Sequence, residues 1–153
     1  MTIKIAVQAA PFDLGAEIAA LHRDTPAVGA VASFLGTVRN EAGTVSEMCL
    51  EHYPGMTEKA LAEIVQNAQT RWALHSVTVI HRIGPLAPCD PIVMVAVASA
   101  HRDAAFAACA FIMDFLKTQA PFWKQETTAD GAHWVDAKDS DTGACARWAA
   151  PDL

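Results

Sequence analysis

The chain reads as an α+β domain built on an antiparallel or mixed sheet. Three observations lead there. Strand-like and helix-like segments follow one another roughly as β-α-β-β-α-β-β-α-β-β, so strands come in consecutive pairs and no strict βαβ repeat runs through the chain. Neither a GxGxxG nor a Walker motif is present, which removes the usual nucleotide cradles of a doubly wound sheet. The 153 residues are 52% hydrophobic and 18% charged, enough apolar material for one packed core and too much for a disordered chain.

The elements follow in order. Residues 3–8 (IKIAVQ) alternate as a strand does. Pro11 and Asp13 then punctuate the chain, and Asp13 caps a short helix over 15–22. The apolar, β-rich run 28–36 predicts a largely buried strand, and the polar run 38–46 a loop. Residues 47–53 alternate as a strand that Pro54-Gly55 ends. Thr57 is the expected cap of a helix over 58–72, with Leu61, Ile64, Val65 and Ala68 on one face. Two strong strands, 76–84 and 91–99, flank the proline-rich turn PLAPCD. Phe106, Cys109, Ala110, Met113 and Leu116 recur at helical spacing within 102–118, and Pro121 stops that helix. Residues 122–127 and 133–137 read as strands around an Asp-Gly turn at 130–131. The polar tail after Asp139 reads as loose. We take 1–148 as one domain and 149–153 as a tail.

Bulk properties exclude several classes. The net charge of −6 argues against nonspecific binding to nucleic acid or anionic membrane. No apolar run reaches the roughly 18 residues that cross a bilayer. The N-terminal residues lack the basic start and apolar block of a signal peptide, so a cytoplasmic location is expected. Cys49, Cys89, Cys109 and Cys145 form no CxxC pair and stand at no zinc-ligand spacing from a histidine. Free thiols in a reducing compartment are expected, with Cys109 acting as a small apolar residue inside a helix.

The most informative segment is 99–126. His101 and Arg102 open a helix, Lys117 lies near its end, and Lys124 follows Pro121. An acidic chain that gathers four such side chains around one helix fits either an anion site or an ordinary solvated face. Amides at a helix start attract anions, and the arginine fork suits a phosphate. Lys117, about four turns further on, reaches the same site only if the helix crosses the pocket or a second subunit contributes. Lys124 stands beside Trp123, where lost solvation would make it a usable acid, base or nucleophile; a surface lysine paired with Glu126 is the plainer alternative. Arg39 lies where a loop leaves a strand, which suits a ligand contact or a plain loop charge. His52 and His81, inside strands, read as structural histidines, and Phe34 and Met113 as core.

Four blocks carry a resemblance. LEHYPGMTEKALAEI (50–64), VTVIHRIGPL (77–86), SAHRDAAF (99–106) and FIMDFLKTQAPFWKQE (111–126) resemble the catalytic, large-subunit family of molybdopterin synthase, in order and spacing, over about residues 3–138. The resemblance implies an α/β hammerhead-type domain with an added antiparallel or mixed sheet subdomain. It implies a sulfurtransferase that makes the dithiolene of molybdopterin from cyclic pyranopterin monophosphate. The sulfur donor would be a small ubiquitin-like subunit with a thiocarboxylated Gly-Gly end. The assembly would be a homodimer of large subunits within a heterotetramer, with no metal or cofactor of its own.

By position, the resemblance makes Lys117 and Lys124 catalytic. It gives substrate contacts to Thr37, Val38 and Arg39 in GTVRN, to His101 and Arg102, to Lys117, Lys124, Gln125 and Glu126, and to Lys138, which the family can supply from a second subunit. Phe34 and Met113 match apolar positions of the pocket. The chain departs from the family at Gln125, where a lysine is common, and at Cys89, where glycine is usual. A non-catalytic module that docks a Gly-Gly tail is the alternative, as is an unrelated enzyme acting on a phosphorylated metabolite.

Overall fold

A computed structural model describes residues 1–40, 42–135 and 139–149. Their elements run β1 (Thr2–Gln8), α1 (Leu14–His22), β2 (Ala30–Thr37), β3 (Glu47–His52), α2 (Met56–Arg71), β4 (Ser76–Arg82), β5 (Gly84–Leu86), β6 (Pro91–Ser99), α3 (Arg102–Gln119), β7 (Phe122–Thr128), β8 (Gly131–Val135) and α4 (Asp139–Ala146). The class is α+β, as expected. Two four-stranded sheets form, in orders β1-β4-β6-β2 and β5-β3-β7-β8. The first is mixed, because β1 runs parallel to β4 while β4, β6 and β2 pair antiparallel. The second is wholly antiparallel and forms the subdomain.

The central strands of the first sheet, β4 and β6, are buried on both faces, and they divide their side chains accordingly. Val77 and Val79 of β4 and Val93, Val95 and Val97 of β6 face α2 and α3, where Leu61, Ile64, Val65, Ala108 and Ile112 complete the main core. Ile80, Met94, Ala96 and Ala98 face the other way, against Leu21 and Ile18 of α1. Asp13 caps α1 as expected, its carboxylate accepting from the Ala16 amide at 3.0 Å. A third, small cluster of Val38, Met48, Leu50 and Leu86 joins the second sheet to the end of β2.

Several expectations are corrected. Residues 28–36 are not a largely buried strand: β2 is an edge strand, and Phe34 and Leu35 remain about 40% exposed. Phe106 falls outside the buried stripe of α3 and is 65% exposed. Thr57 does not cap α2; Gly55 takes that position at φ 84°, and the Glu58 carboxylate accepts from its amide. The proline-rich turn holds the short strand β5, paired with β3.

Residues 139–149, expected to be loose, are docked on the domain. Helix α4 packs on α3, where Asp114 Oδ2 accepts from Arg147 Nη2 and from Trp148 Nε1 at 2.6 Å. The Trp148 ring meets Trp72 and Phe111 edge-on, at 5.6 and 5.5 Å between centroids.

Candidate active site

Part of the predicted set, Val38, Lys124 and Glu126, lies where the second sheet meets the end of β2. On β7, Phe122, Lys124 and Glu126 share one face, since successive side chains alternate. Their partners in register are His52, Leu50 and Met48 of β3. Leu50 and Met48 are buried in the cluster that includes Val38, so Lys124 and Glu126 belong to the inward side of the second sheet. Gln125 lies between Cys49 and Trp134 on the opposite, outward side. Its register therefore separates it from Lys124, although the two are adjacent in sequence.

The end of β2 reaches this place through its backbone. The Val38 amide donates to the Asp90 carbonyl at 2.9 Å, and the Cys89 amide donates to the Val38 carbonyl at 2.9 Å. That pairing seats Val38 in the core and leaves Thr37 and Arg39 exposed on either side of it. Asn40 closes the following loop, exchanging side-chain bonds with the Val45 amide and carbonyl at 2.9 and 2.7 Å.

Lys117 comes from the last turn of α3. Its charge reaches His81, at the end of β4 on the face that α2 and α3 cover. Burial holds the His81 imidazole well below its ordinary range, at about 4. The bond to the Arg82 carbonyl opposes that shift, while the positive charges of Lys117 and His52 add to it. His81 Nδ1 lies 2.8 Å from the Arg82 carbonyl oxygen, which can only accept, so Nδ1 carries the proton. The ring stacks on Phe122 at 3.9 Å between centroids and 19° between planes. Reading His81 as structural thus agrees with its burial, but its neighbours are the two lysines' own elements.

Met113, one turn before Lys117, lines an apolar groove of about 330 Å³ with Phe34, Ala32, Phe106 and Cys109. Phe34 and Met113 thus line one groove, and Phe34, 40% exposed, is not a core residue. Cys109 borders this groove with its thiol pushed up to about 11 by burial, so it is a packing residue and not a thiolate nucleophile.

His101 and Arg102 are not brought to Lys117. They stand at the opposite end of α3, about 22 Å away at the helical rise of 1.5 Å per residue. His101 occupies the N-cap position without a side-chain capping bond, and both residues are exposed. Lys138 lies outside the described residues. Thr57 enters the site unexpectedly. Its buried hydroxyl donates to the Pro121 carbonyl at 2.9 Å and accepts from the Tyr53 amide at 3.0 Å. A cap rule cannot signal that contact, because its partner lies 64 residues away.

The model of the MoaE protein family matches residues 7–119. The chain belongs to the MoaE family. Among its relatives, the molybdopterin synthase catalytic subunit of Ralstonia nicotianae is 66% identical over 146 residues, covering 94% of this chain and 83% of that one. The structure titled as the molybdopterin biosynthesis MoaE protein of Burkholderia ambifaria superposes with a TM-score of 0.84 at 54% identity, covering 99% of this chain and all of that one. Molybdopterin synthase of Staphylococcus aureus superposes with a TM-score of 0.79 at 31% identity over 85% of this chain and 95% of that one. In this MoaE protein, Val38 and Lys124 lie where the second sheet meets the end of β2, and Lys117 ends the helix that precedes β7.

Proposed function

We propose that this chain is the catalytic subunit of a molybdopterin synthase. It takes sulfur from the thiocarboxylated Gly-Gly end of a small ubiquitin-like subunit and installs it on cyclic pyranopterin monophosphate, forming the dithiolene of molybdopterin. The reaction runs in the cytoplasm; among the described residues no helix is long and apolar enough to cross a membrane. Family membership and the names of the relatives support the activity. The observation that supports it is that Lys117 ends α3 and Lys124 follows on β7 across the Ala120-Pro121 turn, with Lys124 on the inward face of the second sheet.

The chemistry follows from charge. The substrate's phosphate needs a cation with two donors, which Arg39 supplies from the loop after β2. As sulfur adds to carbon, oxygen must leave. An ammonium at Lys117 or Lys124 protonates that oxygen or stabilises the charge developing on it. Phe34 and Met113 give the pterin an apolar wall. The sulfur arrives already activated, so the scheme calls for no metal and no cofactor. His101 and Arg102 serve the same substrate only from a second copy, because one straight helix keeps them from Lys117. A homodimer of large subunits inside a heterotetramer meets that need, with Lys138 as a further basic group from the second copy.

The test is reconstitution. Purified protein, the cyclic substrate and a thiocarboxylated small subunit should yield dithiolene product by mass spectrometry. Lys117→Ala should lower the yield by at least 100-fold, on the scale of general acid catalysis (roughly 10²–10⁴), while small-subunit binding stays within a few fold. Wild-type turnover by that variant would sink the assignment of Lys117. No product from the wild type, despite tight binding of the small subunit, would point to a docking module.

A further inference from the structure

Lys117 and Lys124 are joined by a short run: the end of α3, the turn at Ala120-Pro121 and the first residues of β7. The Phe122 amide donates to the Ala120 carbonyl at 3.0 Å across the turn, and β7 pairs with β3 from Phe122 onward. Two residues from elsewhere in the chain also hold the turn. Thr57, on α2 and fully buried, donates its hydroxyl to the Pro121 carbonyl at 2.9 Å, and the Tyr53 amide fixes that hydroxyl from behind at 3.0 Å. His81, on β4, stacks flat on Phe122 at 3.9 Å, and its own ring is fixed by the bond to the Arg82 carbonyl at 2.8 Å. Neighbouring residues of the turn are thus pinned from two different elements, one by a hydrogen bond and one by a ring face.

We propose that Thr57 and His81 are positioning residues for sulfur transfer, setting the placement of Lys124 relative to Lys117 by clamping the turn between them. The inference rests on the functional reading above. Neither residue touches substrate in this scheme. Each acts through the backbone that carries a lysine, and a misplacement of the order of 1 Å between catalytic groups costs about 100-fold in rate. The imidazole also suits the place electrically. Buried and neutral, it brings a flat ring to Phe122 without a further positive charge beside the lysines. A lysine or arginine there could not.

The test uses the intact protein with its thiocarboxylated partner and the cyclic substrate. Thr57→Val keeps the shape and removes the hydroxyl; His81→Leu keeps the bulk and removes the ring. Both should lower kcat by at least tenfold and leave KM for the cyclic substrate within threefold, at a temperature well below melting. Thr57→Ser and His81→Phe, which restore the hydroxyl and the ring face, should recover most of the turnover. Amide exchange at Phe122–Lys124 should quicken in the two deleterious variants and not in the two conservative ones. Thr57→Val and His81→Leu proteins that are folded and retain wild-type kcat would overturn the inference. So would an equal loss in the conservative variants. If His81→Leu does not fold, the isosteric Thr57→Val decides alone. An inactive wild type would overturn the functional reading itself, an outcome distinct from active wild type with unaffected variants.

Discussion

Cys89 holds a backbone conformation that ordinarily belongs to glycine, with φ of 75°, in the turn whose Cys89 amide and Asp90 carbonyl bracket Val38. A side chain there costs about 1–2 kcal/mol, while glycine would lose about 0.5–1 kcal/mol in chain entropy. The steric cost is the larger, so Cys89→Gly should stabilise the fold by up to about 1 kcal/mol. A rise of roughly 2–4 °C in melting temperature would register it, and an unchanged or lowered value would mean the turn carries no strain. His81 gives a second effect at the same scale. Its folded-state value of about 4 lies below the ordinary 6.5, so the folded protein binds fewer protons than the unfolded chain between those values. Stability is therefore complete above about pH 6.5 and falls as pH drops toward 4, by at most about 3 kcal/mol from this group. Burial is the main cause, with Lys117 on α3 and His52 on β3 adding to it and the Arg82 carbonyl opposing it. His81→Phe should flatten that part of the profile. Urea midpoints between pH 7.5 and 4 check it, because carboxylates contribute equally to both proteins; identical slopes would refute a buried neutral His81.

At the scale of the element, helix α4 depends on one carboxylate. Asp114 receives Arg147 and Trp148, and the Cys145 thiol donates to the Asp114 carbonyl at 3.1 Å. Asp114→Ala removes charge-assisted bonds worth about 1–3 kcal/mol in all. Faster amide exchange through α4, together with a lower urea midpoint, is the expected result; exchange unchanged in α4 would show that the aromatic contacts of Trp148 suffice. This docking explains why the sequence hid the tail. The segment DSDTGACA has no apolar stripe, and its anchors, Arg147 and Trp148, follow the helix. The strands of the sheets were legible because alternation and β-branching are local properties. The exposure of β2 was not, because a strand's own residues do not say whether it has one neighbour or two. Phe106 misled for a related reason: it follows the periodicity of α3 but lies at the margin of its buried stripe. In the site, charge and residue type left Arg39, Lys117 and Lys124 open between ligand contacts and plain surface charges, and only the family resemblance singled them out. The roles of Thr57 and His81 depend on Pro121 and Phe122, contacts that no local pattern encodes.

For the molecule as a whole, the length of α3 sets the problem. Fifteen residues of helix separate the exposed Arg102, and its neighbour His101, from Lys117 by about 22 Å. If all three act on one substrate, each site must combine the two ends of α3 from different copies. Exposed Phe34, Leu35 and Phe106 beside the same helix give a second copy apolar surface to cover. Sedimentation at micromolar concentration should then give twice the chain mass of 16.3 kDa. A sharper check mixes two inactive proteins, Lys117→Ala and Arg102→Ala, and lets their subunits exchange. In a mixed two-fold dimer with shared sites, one site collects both lesions and the other collects none. Random exchange makes half the dimers mixed, so about a quarter of wild-type turnover should return. If each chain supplied both residues to its own site, every site would keep one lesion and no turnover would return. A monomer at that concentration would exclude the shared site outright. Recovery near a quarter would instead fix which end of α3 faces which substrate, and would make the dimer a requirement of the chemistry.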